Sequence, residues 1–279
     1  MRLFALLTML LMPLSLFAGE SGFEDIERDT KWSGEIAVTK PLHVLKDANL
    51  QITPGTKVTF DIPSSEEFEP TPWILVEGSI EIGGTASAPV IFKVANKTVQ
   101  KSTQDMFNLL AAKSAKISYG HFIGAGWALH IHDTPTLIEN SRFMEGYGGI
   151  RSSSDNLEVS GSVFSANKIG MRLLNAEGVT ISSCDFSENL TGIFLRQGIR
   201  DISIAKNYFA NAEYDIKLGE LQEEDVNASS NWWMTSPALG GVKIFDGKDS
   251  AGVGLVKTDP ELDLSKKTER RDEKTFEKP

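Results

Sequence analysis

The sequence contains one cysteine, Cys184, so no internal disulfide can staple the chain and the fold must rest on its core. Beyond "LFALLTMLLMPLSLF" (3–17) it has no apolar run near the ~18 residues that a membrane-spanning helix needs. It also lacks positive charge in excess: 28 Lys and Arg stand against 38 Asp and Glu. That balance gives no overall attraction to nucleic acid or to an anionic membrane, and neither is expected as a partner. Histidine is scarce as well, with four in the chain. Two of them, in "HIH" (130–132), share one side of a strand, but no third lies in their column and the neighbours there are arginines. No metal and no cofactor is expected.

What is present begins with a transport label. Arg2 precedes the apolar run 3–17, which Pro13 interrupts, and small Ala18 precedes the expected cut. Residues 1–18 read as a cleavable signal peptide, and no cysteine follows to carry a lipid at that position. The mature protein is expected in the periplasm or secreted, with no membrane span after cleavage. At the other end, "SKKTERRDEKTFEKP" (265–279) is dense in both charges and nearly free of apolar residues, so 263–279 reads as a disordered tail.

Between these ends the chain repeats. Phe122, Phe143, Phe164, Phe186 and Phe209 recur every 21 to 23 residues. Five positions before each stands Ile117, Ile138, Val159, Ile181 or Ile204, and seven after each stands Leu129, Ile150, Met171, Ile193 or Ile216. Trp233 takes the aromatic position of a further unit, with Ala228 five before it. A period of this length signals a solenoid. The apolar positions come in alternating pairs such as Val179/Ile181, Cys184/Phe186 and Ile193/Leu195, which is strand periodicity. The alternation slips phase twice in each unit, where Gly, Asn and Ser collect, and each slip reads as a corner. Three short strands per unit, each stacked on its equivalent about 4.8 Å away, make one coil of a parallel β-helix.

The stretches 32–60 and 74–92 alternate in the same way, and 61–72 and 93–105 read as polar excursions. The expectation is an all-β, single-domain, right-handed parallel β-helix over 32–262, of about eight coils. Residues 19–31, with "FEDIERDTKW" (23–32), would cap its first coil as a strap or short helix. The phrases "LQITPGTKVTF", "LVEGSIEIGGTASAPVIF", "NYF", "NWW" and "VKIFDGKDSAGVGLVKTDPEL" (242–262) resemble exported bacterial right-handed parallel β-helix proteins. These are the pectate-lyase-like and NosD-type carbohydrate-binding and sugar-hydrolase repeats. The resemblance implies the fold. It leaves lyases, hydrolases, adhesins and inert binders open, and its NosD side nominally implies copper, against which the residues argue.

Several groups invite chemistry. Glu145 and Glu188 share the column two after Phe, two coils apart, and Asp185 lies near Glu188. Paired carboxylates flanking a cleft would suit glycoside hydrolysis, whereas charges at turns are ordinarily solvated. Polysaccharide lyases of the resembling family use clustered acidic Ca²⁺ ligands with a basic residue, and no such cluster is matched. Cys184 shares an inward corner column with Gly120, Ser141, Ser162, Asn207 and Asn231, where small polar side chains would form a hydrogen-bonded ladder. Trp233 falls inward and Trp232 outward.

One column stands apart. Eight after Phe come His130, Arg151, Arg172, Phe194 and Lys217, all outward. Either these cations pair with carboxylates of adjacent columns, or they form a site for an anionic ligand, with Phe194 offering a stacking surface. The leading expectation is a non-enzymatic exported binding or scaffold protein that presents an elongated face to a polysaccharide or protein partner. A polysaccharide-active lyase or hydrolase is the alternative.

Overall fold

The computed structural model describes residues 22–61, 73–95, 105–235, 241, 243–263 and 265. The expected signal peptide, nearly all of the charged tail and most of both polar excursions lie outside these residues. The described chain winds into a three-sided parallel β-solenoid. The first sheet has ten strands, the second eight and the third nine, and every pairing between successive coils is parallel. One strand per coil in the third sheet makes nine coils. A two-stranded pair, Val226–Asn227 with Val256–Lys257, continues toward the C-terminal end.

The coil beyond the expected eight comes from the N-terminal stretch. Residues 19–31 were expected to cap the solenoid, but Glu24–Ile26 pairs with Leu42–Val44 and Thr30–Trp32 pairs with Asn49–Ile52. The would-be cap is therefore a coil itself. Its alternation is short and acidic, which hides a strand whose outer side faces water.

The repeat register holds in space. Phe122, Phe143, Phe164, Phe186 and Phe209 pair directly across the third sheet. Their rings stack with centroids 4.9, 4.8, 4.7 and 5.3 Å apart, and Trp233 extends the column 4.7 Å beyond Phe209. Phe92 adds a ring at the other end, 4.7 Å from Phe122. Coil spacing and ring stacking distance nearly coincide, so one residue type repeated once per coil fills the core without gaps. Leu129, Ile150, Met171, Ile193 and Ile216 form a second wholly buried column in the first sheet.

Corners follow a rule the composition only hinted at. The residue three before each aromatic, namely Tyr119, Asn140, Gly161, Ser183, Lys206 and Ser230, has positive φ in all six coils. A second left-handed corner, two after Phe, holds Gly124, Glu145, Ala166 and Glu188. Polar ladders then satisfy the buried amides behind the corners. Gly120 N–H donates to Ser141 Oγ and Ser141 N–H to Ser162 Oγ, each at 3.1 Å. Cys184 N–H donates to Asn207 Oδ1 at 2.9 Å, and Asn207 N–H to Asn231 Oδ1 at 2.8 Å. Cys184 is buried in this ladder, as its column implied.

Candidate functional site

The expected column lies on the outer face of the first sheet. Strand pairing sets Asn108, His130, Arg151, Arg172, Phe194, Lys217 and Phe245 in one continuous column, one residue per coil. All five expected site residues are therefore brought together, in order and facing outward. The strands read buried at the positions flanking each, so alternation leaves this column no side to occupy except the solvent side.

Their surroundings differ from a bare row of charges. Arg172 is held between two rings, its guanidinium carbon 5.2 Å from the Trp127 centroid and 5.4 Å from Phe194. Trp127 reaches Arg172 because Gly148 lies between them: a Cβ there would sit 2.3 Å from the indole. Tyr147 packs edge-on against Trp127 at 5.6 Å, and Lys168 lies over its ring at 5.1 Å. Lys217 Nζ is ringed by Tyr214, Phe245 and Phe194 at 4.8, 5.2 and 5.8 Å. Each such cation–π contact contributes ~0.5–1 kcal/mol when exposed and more when desolvated.

Carboxylates are few here. His130 Nδ1 lies 2.7 Å from Asp105 Oδ2, so that member of the column has its own counter-group. Arg196, two positions after Phe194 on the same face, pairs with Glu220. Among the described residues, Arg151, Arg172 and Lys217 have no carboxylate within ion-pair distance. The reading in which the column's cations are paired away by adjacent acids therefore holds only for His130. Burial pushes the Arg172 guanidinium below its usual range, with Arg151 and Arg196 adding to the effect and Tyr147 opposing it. Several buried side-chain polar atoms have no hydrogen-bond partner among the described residues. Four of them, Asn108 Oδ1, His130 Nε2, Arg172 Nε and Arg196 Nε, belong to this face. Buried polar groups are ordinarily satisfied, and the exceptions concentrate on this face.

The sequence reading missed Trp127, Tyr147, Arg196, Tyr214 and Phe245. Arg196 carried a usable signal, since it stands two residues after Phe194 on the same strand, whereas Trp127 stands three before His130 and alternation alone would not place it on this face. Phe245 carried none: its partner Lys217 is 28 residues earlier, outside the regular period.

Elsewhere the candidates separate. Glu145 and Glu188 occupy exposed left-handed corners, with φ of 57° and 62°. Asp185 is on the outer face of the third sheet, beside Tyr208 and in the column of His121 and Arg142. Burial, and then Arg142, lower the His121 pKa to about 4. Trp232 faces outward, and its Nε1–H donates to the Asp263 carbonyl at 3.0 Å, while Trp233 ends the ring stack. The imidazoles of His130 and His132 are 4.2 Å apart by centroid, but His132 Nδ1 is taken up by Ser153 at 2.8 Å as His130 Nδ1 is by Asp105. His132 is held below the ordinary imidazole pKa by burial and then by His130 and Arg151. No group of three His, Cys, Asp or Glu suited to a metal occurs among the described residues. Both contacts engage Nδ1 and leave Nε2, so what argues against a copper ion is the neighbouring Arg151 and the lack of a third ligand among the described residues. No helix among the described residues is long and apolar enough to cross a membrane.

The model of the right-handed β-helix region matches residues 107–254, more than half of the chain. The chain belongs to the right-handed β-helix family. Among curated proteins, none matches the sequence. The matched segment of this β-helix protein includes the whole column from Asn108 to Phe245.

Proposed function

We propose that this β-helix protein is exported and binds an extended acidic ligand, a glycan or the acidic surface of an envelope protein, along the outer face of its first sheet. One observation carries the reading: Arg151, Arg172 and Lys217, without carboxylates at ion-pair distance among the described residues, share one column with Phe194 and Phe245 on a chain of net charge −10. Coil stacking spaces them by about 4.8 Å per step. Like charges at that spacing repel mildly in water, and a polyanion would relieve the repulsion while the rings meet its apolar patches. The carboxylates nearest the stretch from His130 to Lys217, Asp105 and Glu220, are engaged with His130 and Arg196, which favours binding over glycosidic cleavage. Export is supported by the charge and hydropathy pattern of residues 1–18.

The test is binding of polygalacturonate, alginate and a neutral glucan to the wild type and to an Arg151→Glu/Arg172→Glu variant with unchanged melting. Wild type is expected to retain the two acidic polymers, more weakly as salt rises, and to release the glucan. Equal retention of both acidic polymers by the charge-reversed variant would overturn the proposal.

A further inference from the structure

The cationic column does not run off the end of the molecule. Its last rungs, Phe194, Lys217 and Phe245, form the floor of a pocket of about 450 Å³, and the segment Ser250–Val253 forms the far wall. Within it Phe194 leans toward Gly219, where a Cβ would come within 2.6 Å of the ring, so glycine is required for the ring to lie there. The far wall is braced. Buried Asp246 accepts from Lys248 N–H at 2.9 Å and Val256 N–H at 3.0 Å, and Asp249 Oδ2 accepts from Asp246 N–H at 3.1 Å. Gly247 N–H donates to the Gly254 carbonyl and Gly254 N–H to the Gln222 carbonyl, both at 2.8 Å. The pocket thus combines two aromatic rings and one ammonium on its floor with a braced far wall, and its one carboxylate, Glu220, is paired with Arg196.

From this we infer that the protein recognises a chain end: the pocket takes the terminal residue of an acidic glycan whose preceding residues lie along the column. The inference rests on the proposed binding of an acidic ligand and narrows it to a polyuronate, read from one terminus. A pyranose ring presents an apolar face that suits Phe194 or Phe245, and a uronate carboxylate on the same residue suits the Lys217 ammonium. The wall at Ala251 and Val253 stands where the next residue of a longer chain would continue. An interior stretch of polymer would have to rise over that wall and lose the pocket. A protein partner lacks this pattern of a flat apolar ring bearing one carboxylate, so the pocket favours the glycan.

The experiment uses the full mature protein with polygalacturonate and with defined oligogalacturonates made from it. End recognition predicts that fragmenting the polymer at constant total uronate raises the amount of protein bound in proportion to the number of ends. Ala251→Trp, on an exposed loop position, fills the pocket from its wall and is expected to weaken oligomer binding at least tenfold with unchanged melting. Phe245→Ala is expected to act in the same direction, and Arg151→Glu to weaken oligomer and polymer alike. Two results overturn the inference while leaving acidic-ligand binding intact: binding that tracks total uronate regardless of length, or oligomer affinity unchanged in Ala251→Trp. If the wild type binds neither polymer nor oligomers, the glycan reading of the whole face fails with it.

Discussion

Asn189 offers one side-chain oxygen to two donors of Asn167: the backbone N–H at 3.1 Å and the side-chain amide at 3.0 Å. Asn211 does the same for Asn189, and Asp215 for Asn211. The series ends on a buried carboxylate whose pKa burial raises, against the lowering effect of the Asn211 hydrogen bonds and then Lys243. Asn189 and Asn211 each satisfy buried amides of the coil before, and Asp215 closes the series on Asn211 within their own coil, so the bonds reinforce one another along the solenoid axis.

Removing a middle rung leaves donors without acceptors. Asn189→Ala strands the Asn167 backbone N–H and takes the Asn189 amide from the Phe164 carbonyl, while the Asn167 amide keeps the Phe143 carbonyl. The substitution is expected to cost about 2–4 kcal/mol, since each orphaned buried polar group costs ~1–3 kcal/mol. Chemical denaturation of the purified variant measures it. A loss below about 1 kcal/mol would mean that water replaces the rung.

The left-handed corners store strain that one substitution can release. Ala166 is exposed, with φ of 56°. An L-residue there costs roughly 1–2 kcal/mol, partly offset in glycine by its greater unfolded-state freedom. Ala166→Gly is therefore expected to stabilise by about 0.5–1 kcal/mol, seen as a higher denaturation midpoint at unchanged slope. Ala166→Val at the same site is expected to destabilise, because a β-branched side chain tolerates this region least.

The depressed pKa of His121 gives stability a definite dependence on pH. Above pH 6.5 the imidazole is neutral whether the chain is folded or unfolded. Between 6.5 and about 4 the unfolded chain takes up a proton that the folded one refuses, so stability falls as pH drops through that window. Below about 4 this contribution levels off. The slope is at most about 1.4 kcal/mol per pH unit, reduced by the residual solvent exposure of the ring. Thermal melts of wild type and His121→Gln between pH 7 and 4 check this, and parallel curves would remove His121 as a cause.

Export is tested by N-terminal sequencing of protein recovered from its native host. The expected first residue is Gly19 or Glu20, in the soluble fraction. A chain that still begins at Met1 in the membrane fraction would refute the cleaved signal.

Much of the architecture is legible in the chain itself, because a solenoid converts sequence period into spatial neighbourhood. One Phe every 21 to 23 residues becomes one ring stack, and the outward column from His130 to Lys217 can be listed in order before any coordinate is known. Alternation likewise separates Trp232 from Trp233, and the inward polar column is readable from residue size. What the sequence could not decide is how side chains behave between rungs. That Trp127 leans over Gly148 to reach Arg172, two coils on, depends on rotamer choice and on the space a glycine leaves. That Asp105 compensates His130, and that residues 246–256 close the end of the face, depends on where aperiodic segments return to the solenoid. Stacking repeats at a fixed rise, so the period determines the columns. Insertions and side-chain leaning obey no period, so only the folded chain determines which cations remain unpaired and where the groove ends.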